Sequence, residues 1–251
     1  MVAETNFKIN LGLNITEKLP NGYHTIETLF YPVYNQRDTI EINHSDQFVF
    51  EMSGGDFEVE TEQNICVKAF RLLEKEYQLP PISLSLTKNI PSGAGIGGGS
   101  GDAATTLLLI NQFFNLKLSV DQLLYFAKQL GSDVPFFIIN TPCFATGVGE
   151  LLTPVSVDLS PYTIEMIFSD IQIATPDAYS WIRPQKPSRK ITDIIRMPIE
   201  FWKQELVNDF EKVIYPRFPQ LERNKQILYD KGALYAAMSG SGSSTFGIFP
   251  R

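Results

Sequence analysis

A mixed chain of strands and helices, opening with antiparallel strands, is what three features of the sequence predict. Phe7–Ile15 alternates apolar and polar residues without a fault, the period of a half-buried strand. Cys66, Ala69, Phe70, Leu73 and Tyr77 recur at i, i+3, i+4, i+7 and i+11, the stripe of an amphipathic helix. Between an alternating segment and a strongly apolar one lies Pro91-Ser-Gly-Ala-Gly-Ile-Gly-Gly-Gly-Ser-Gly-Asp-Ala-Ala104, which holds six of the 17 glycines.

At 251 residues the chain is long enough for one large domain or two medium ones. It is 43% hydrophobic and 20% charged, ordinary for a globular protein with a real core. A net charge of −7 argues against nucleic acid or an acidic membrane as partner, since both reward a basic field. Cys66 and Cys143 lack metal-ligand spacing and suit a reducing compartment. Met1-Val-Ala-Glu4 has no basic or apolar leader pattern, and no apolar run is long enough to cross a bilayer. A cytoplasmic, soluble protein is the expectation.

In the first strand Phe7, Ile9, Leu11, Leu13 and Ile15 share one face, and Lys8, Asn10, Gly12 and Asn14 share the other. That polar face is either solvated or lines a site. Asn21-Gly22 predicts a turn. Leu29–Tyr34, Asp38–Asn43 and Gln47–Met52 read as further strands of an antiparallel meander. Asn64 is placed to cap the helix that Pro80-Pro81 ends. Ile82, Leu84 and Leu86 mark a strand, followed by the glycine stretch and a helix over about Asp102 to Phe114. Ser119 and Gln122 form a capping box, and Gly131 ends that helix. Pro135 is expected to hold Val134 extended.

Thr153–Pro161 is the expected domain boundary, giving domains 1–156 and 157–251. Thr163–Phe168 reads as a strand, and Thr175-Pro176 as a cap followed by a first-turn proline. The basic segment Arg183–Lys203 reads as a solvated, proline-interrupted loop. A helix ending at Lys231-Gly232 leads to a hairpin turning at Ser239–Gly242.

Glycines opening a helix leave backbone N–H groups and the helix dipole facing empty space, the physics of a phosphate site. Gly93, Gly95 and Gly98 formally match G-x-G-x-x-G. The acidic partner a dinucleotide fold needs about 20 residues on would be Asp121, which lies in a helix-capping sequence. No lysine follows the glycines, so a P-loop is excluded. Ser100, at the helix entry, is suited to hold a Mg²⁺ that bridges nucleotide phosphates.

Three motifs together resemble the GHMP kinase superfamily: Lys8-Ile-Asn10-Leu, Pro91 through Ser100, and Met238-Ser-Gly-Ser-Gly-Ser. Pro20-Asn-Gly-Tyr-His24 and Gly131-Ser-Asp-Val-Pro-Phe136 are similar to the branch acting on a cytidine-diphosphate-linked methylerythritol. The resemblance spans nearly the whole chain, with Gly101 standing where the family commonly has a side chain and Ile96 where it has leucine. It implies an α+β, two-domain fold: an N-terminal domain like ribosomal protein S5 domain 2 and a ferredoxin-like C-terminal domain, with the active site in the cleft between them. It implies ATP-dependent phosphorylation of the 2-hydroxyl of that substrate. Another small alcohol, such as homoserine or mevalonate, is the alternative, and a nucleotide-binding regulator without activity is a third.

The resemblance also implies residue roles. Asp133 would take the proton of the attacking hydroxyl, although its surroundings alone read as a turn cap. Lys8 would be the catalytic lysine, keeping Asp133 ionised and stabilising the developing alkoxide. Pro91, Ser92, Gly93, Ala94, Gly95, Ile96, Gly97, Gly98, Gly99, Ser100 and Gly101 would bind ATP, with Ser100 on Mg²⁺. Asn10 would bond the substrate. His24, otherwise a plain loop histidine, would read the cytosine edge, with Tyr23 and Tyr179 on its faces and Thr175 on the cytidine portion. The Ser239–Ser243 turn would support the phosphate loop.

Overall fold

The structure is a computed structural model and describes residues 1–55 and 60–251. The chain divides into two compact units. One contains Met1–Phe7, Val33–Ser92 and Gly97–Asn140; the other contains Lys8–Pro32, Gly93–Ile96 and Thr141–Arg251. Two long strands, β1 (Val2–Lys18) and β2 (His24–His44), run through both units.

The first unit continues with β3 (Val49–Gly54), α1 (Ile65–Tyr77), β4 (Ile82–Lys88), α2 (Gly98–Phe113), α3 (Val120–Leu130) and α4 (Val134–Ile139). Its strands lie in the order β3-β4-β2. β4 is antiparallel to β2, with Thr39 opposite Thr87, and parallel to β3, with Val49 opposite Ser83. The expected meander is therefore wrong twice. Leu29–Tyr34 and Asp38–Asn43 belong to one strand, because the polar stretch between them holds neither glycine nor proline to turn the chain. The segment assigned to Gln47–Met52 pairs in parallel with β4, and a parallel pair needs a crossover, which α1 supplies.

Local signals place the helices well. Asn64 Oδ1 accepts from Cys66 N at 2.9 Å, and the Ser119–Gln122 box is formed in both directions. α2 starts four residues earlier than expected, at Gly98, because the glycines themselves take helical geometry once Gly97 has turned the chain. Val134 is helical rather than extended. It opens α4, and Pro135 sits in the first turn, where a missing N–H costs nothing. Ile40, Cys66, Phe70, Leu84, Leu107 and Ile110 form a fully buried core.

In the second unit Thr28–Phe30 of β2 pairs with β5 (Cys143–Thr146), which pairs with β6 (Leu151–Pro154). There follow β7 (Tyr162–Ile167), α5 (Thr175–Trp181), α6 (Ile191–Ile194), α7 (Trp202–Glu205), α8 (Glu211–Ile214), α9 (Pro219–Asp230), β8 (Tyr235–Met238) and β9 (Thr245–Pro250). The last three strands make an antiparallel sheet, β7-β9-β8, against which α9 packs. Leu13, Ile15, Ile26, Phe210, Ile214 and Leu221 share a second core.

Two readings change here. Ala174, not Thr175, stands at the cap of α5, and Thr175 is its first helical residue. Residues 183–203 are not a plain solvated loop: they carry α6 and the start of α7, and bury Ile191, Ile194, Ile199 and Trp202. Those four apolar residues, spaced through a basic segment, bring the backbone onto the core. No helix among the described residues is long and apolar enough to cross a membrane.

Candidate functional site

The polar face of β1 is not solvated. Lys8 and Asn10 are 3% and 1% exposed, so their polar groups must find partners inside the protein. Lys8 Nζ donates to Asn10 Oδ1 at 2.6 Å and reaches the Gly95 carbonyl at 3.4 Å. Asn10 Nδ2 donates to Thr28 Oγ1 at 2.9 Å, and that hydroxyl donates to the Gly12 carbonyl at 2.6 Å. The ammonium of Lys8 also lies 4.7 Å from the centre of the Phe30 ring. A buried positive charge is thus held in one place by a chain of hydrogen bonds.

The glycine stretch meets this network in the second unit. Lys8 N donates to Ile96 O at 2.9 Å, and Ser244 N to Ala94 O at 3.1 Å. Ser239 Oγ donates to Gly95 O at 3.0 Å, with Asn10 Oδ1 3.3 Å away. Gly95 has φ 73°, and a Cβ there would stand 2.3 Å from Ser239 O and 2.6 Å from Gly242 O. Only glycine lets the two turns approach this closely.

In the first unit the stretch becomes the N-terminal turn of α2, with Ser100 half-buried at its third position. The free N–H groups of that turn provide the positive end of a long helix. Gly101 answers its departure from the family pattern: a Cβ there would lie 2.6 Å from both Asn6 O and Thr5 Oγ1, so this packing has no room for a side chain. Asp133 stands at the N-cap position of α4, half-buried, and its side chain makes no capping hydrogen bond. The reading of Asp133 as a simple turn cap therefore fails.

Beneath α2 lies a cluster that the sequence reading missed. Lys88 forms ion pairs with Asp38 and, at 2.8 Å, with Asp102, and all three are nearly fully buried. Asp38 Oδ1 also accepts from Ile90 N at 2.7 Å, tying β2 to the entry of the glycine stretch. Asp102 Oδ1 has no hydrogen-bond partner. Burial pushes the Asp102 carboxyl up to about 7; Lys88 opposes the shift and Asp38 adds to it. Against the cost of its own burial, the two carboxylates hold the Lys88 ammonium above its ordinary range. The thiol of neighbouring Cys66 is pushed up by burial and then by the Asp102 charge. A signal for the cluster was present: the alternation Ile82, Leu84, Leu86 puts Lys88 on the buried face, where a lysine needs carboxylates.

The residues expected at the base of a nucleoside fall in the second unit. His24 opens β2 and is 8% exposed, whereas Tyr23, on the preceding turn, is 62% exposed. The His24 ring stacks on Tyr179, with centroids 5.0 Å apart and planes 20° apart. Tyr179 in turn meets Phe210 edge-on at 5.0 Å. Burial, and then the charge of Lys18, hold the His24 imidazole below its ordinary value. Thr175 Oγ1 lies 3.3 Å from Ser241 Oγ, which links α5 to the serine-glycine turn.

Comparison with known proteins adds to this geometry. The model of the GHMP kinases N terminal domain matches residues 64–141, and that of the GHMP kinases C terminal region matches residues 199–251. The chain is 50% identical to the 4-diphosphocytidyl-2-C-methyl-D-erythritol kinase of Bacteroides fragilis, covering 99% of this chain and 92% of that protein. It is 47% identical to the enzyme of the same name from Parabacteroides distasonis, covering 100% and 92%. A crystal structure of a 4-(cytidine 5'-diphospho)-2C-methyl-D-erythritol kinase superposes with a TM-score of 0.84 at 30% identity, over 99% of this chain and 90% of that one. A homoserine kinase from Cytophaga hutchinsonii shares the fold, with a TM-score of 0.71 at 18% identity over 98% and 85% of the two chains.

Proposed function

The chain belongs to the GHMP kinases, and we propose that it phosphorylates the 2-hydroxyl of 4-diphosphocytidyl-2-C-methyl-D-erythritol with ATP, a step of the non-mevalonate route to isoprenoid precursors. Relatives bearing that name match it from end to end. The structural observation that carries the catalytic reading is the buried Lys8 ammonium, fixed by Asn10 and touching the carbonyl of Gly95 in the glycine stretch.

Phosphoryl transfer asks a protein mainly for position and charge stabilisation. Residues Pro91 to Gly101 bind the ATP phosphates in this reading, through loop N–H groups and the dipole of α2. The donor set fits a Mg²⁺ held mostly by nucleotide phosphates. Ser100 offers one hydroxyl, and no group of three or more His, Cys, Asp or Glu among the described residues could cage an ion. A Mg²⁺ held there would neutralise phosphate charge. Asp133, at the N-cap position of α4, receives the proton of the attacking hydroxyl. Lys8 stabilises the developing negative charge, and Asn10 orients the substrate. His24, Tyr23, Tyr179 and Thr175 hold the cytidine portion. Residues 1–156 then carry the nucleotide loop and catalytic pair, and 157–251 complete the substrate contacts. The two buried free thiols, Cys66 and Cys143, suit work in the reducing cytoplasm.

Turnover of ATP by the purified chain, with the cytidine substrate, homoserine and mevalonate compared side by side, tests the proposal. Only the first should be phosphorylated, and Asp133→Asn should lower kcat by about 10²–10⁴-fold. Equal turnover of homoserine or mevalonate overturns the substrate, and an unchanged Asp133→Asn variant overturns the base.

A further inference from the structure

The polar face of β1 continues beyond Lys8 and Asn10. Asn14 lies on the same face as Lys8 and Asn10 and is 5% exposed. Its side-chain amide makes no hydrogen bond among the described residues, and it lines a cavity of about 230 Å³ in the second unit.

The charges around the cavity leave one surplus cation. Lys212 pairs with Asp209 at 2.8 Å, and Asp209 also accepts from Ile15 N at 2.9 Å. Arg189 pairs with Glu205 at 3.5 Å. Both carboxylates are thus engaged, while Lys186 is exposed and forms no ion pair among the described residues. In a chain of net charge −7 the lining carries three cations against two acids. Ile191, Ile194 and Val207 add apolar lining. A cavity lined by an amide with no hydrogen bond among the described residues, a spare ammonium and hydrocarbon matches one ligand chemistry.

We propose that the cavity beside Asn14 binds a small molecule carrying an oxyanion on a short apolar body. The oxyanion accepts from the Asn14 amide and the Lys186 ammonium, and the apolar body lies on Ile191, Ile194 and Val207.

Isothermal titration calorimetry of the full chain tests this, first with Mg²⁺ and a non-hydrolysable ATP analogue to saturation. That first titration reports on nucleotide binding by itself, so its failure is separate from failure of the second. The second titration compares n-butyl phosphate, pentanoate, inorganic phosphate and n-butanol. At least one of the two amphiphilic anions should bind one per chain, roughly tenfold or more tighter than inorganic phosphate or butanol, from the burial of its carbons together with its charge. Whichever binds tighter, phosphate ester or carboxylate, identifies the oxyanion. Asn14→Leu should weaken that binding about tenfold. Lys186→Met alters an exposed side chain and leaves the fold intact; it should weaken binding by about three- to tenfold. No saturable binding of either anion, butanol binding as tightly as both, or affinity unmoved by Lys186→Met overturns the site.

Discussion

The imidazole of His24 stacks on the phenol of Tyr179 at 5.0 Å, joining the start of β2 to α5. Burial holds that imidazole below its ordinary value of 6.5, with Lys18 adding to the effect. As pH falls through about 6.5 the unfolded chain takes up a proton that folded His24 resists. The stabilising contribution is therefore complete above that value and is lost as pH falls toward the folded value. Thermal melts of His24→Gln should lose less stability than the parent between about pH 7 and pH 5. Parallel curves would rule this linkage out. At neutral pH the same variant should raise KM for the cytidine substrate and leave KM for ATP unchanged.

Gly101 faces Asn6 O and Thr5 Oγ1 at distances no Cβ tolerates. Gly101→Ser should destabilise the chain by about 1–3 kcal/mol, the usual cost of overpacking a closed site. Urea unfolding measures it, and a midpoint equal to that of the parent would mean that the N-terminal strand yields freely.

Lys88 serves two buried carboxylates at once. Lys88→Met strands both and should cost about 3–5 kcal/mol. Asp102→Asn keeps a partner for the ammonium in Asp38 and removes only the carboxylate with an unpartnered oxygen, so its cost should be far smaller. Denaturant midpoints of the two variants, measured together, decide the order.

Asn10 positions the Lys8 ammonium through a 2.6 Å hydrogen bond. Asn10→Ala should lower kcat about a hundredfold, since misplacing a catalytic group by an ångström has that effect. Ser239→Ala removes a neutral donor shared between Gly95 O and Asn10 Oδ1 and should cost less than about tenfold. Steady-state kinetics on both variants would expose a wrong assignment if Ser239→Ala proved the more damaging.

The sequence by itself determined what depends on neighbours along the chain. The alternation of β1, the cap at Asn64, the Ser119–Gln122 box, the β4 strand and the β8–β9 hairpin are local patterns, and each stands where its residues place it. The GHMP kinase motifs were legible for the same reason, being short runs of fixed spacing. Tertiary structure decided what depends on burial. Only packing makes the polar face of β1 an interior network and sends β3 parallel to β4. It draws residues 183–203 onto the core, and it turns Lys88, unremarked in sequence, into the centre of a buried cluster. A residue's pattern says which face it occupies; what stands opposite that face is set by segments far away in the chain, whose approach no local period records.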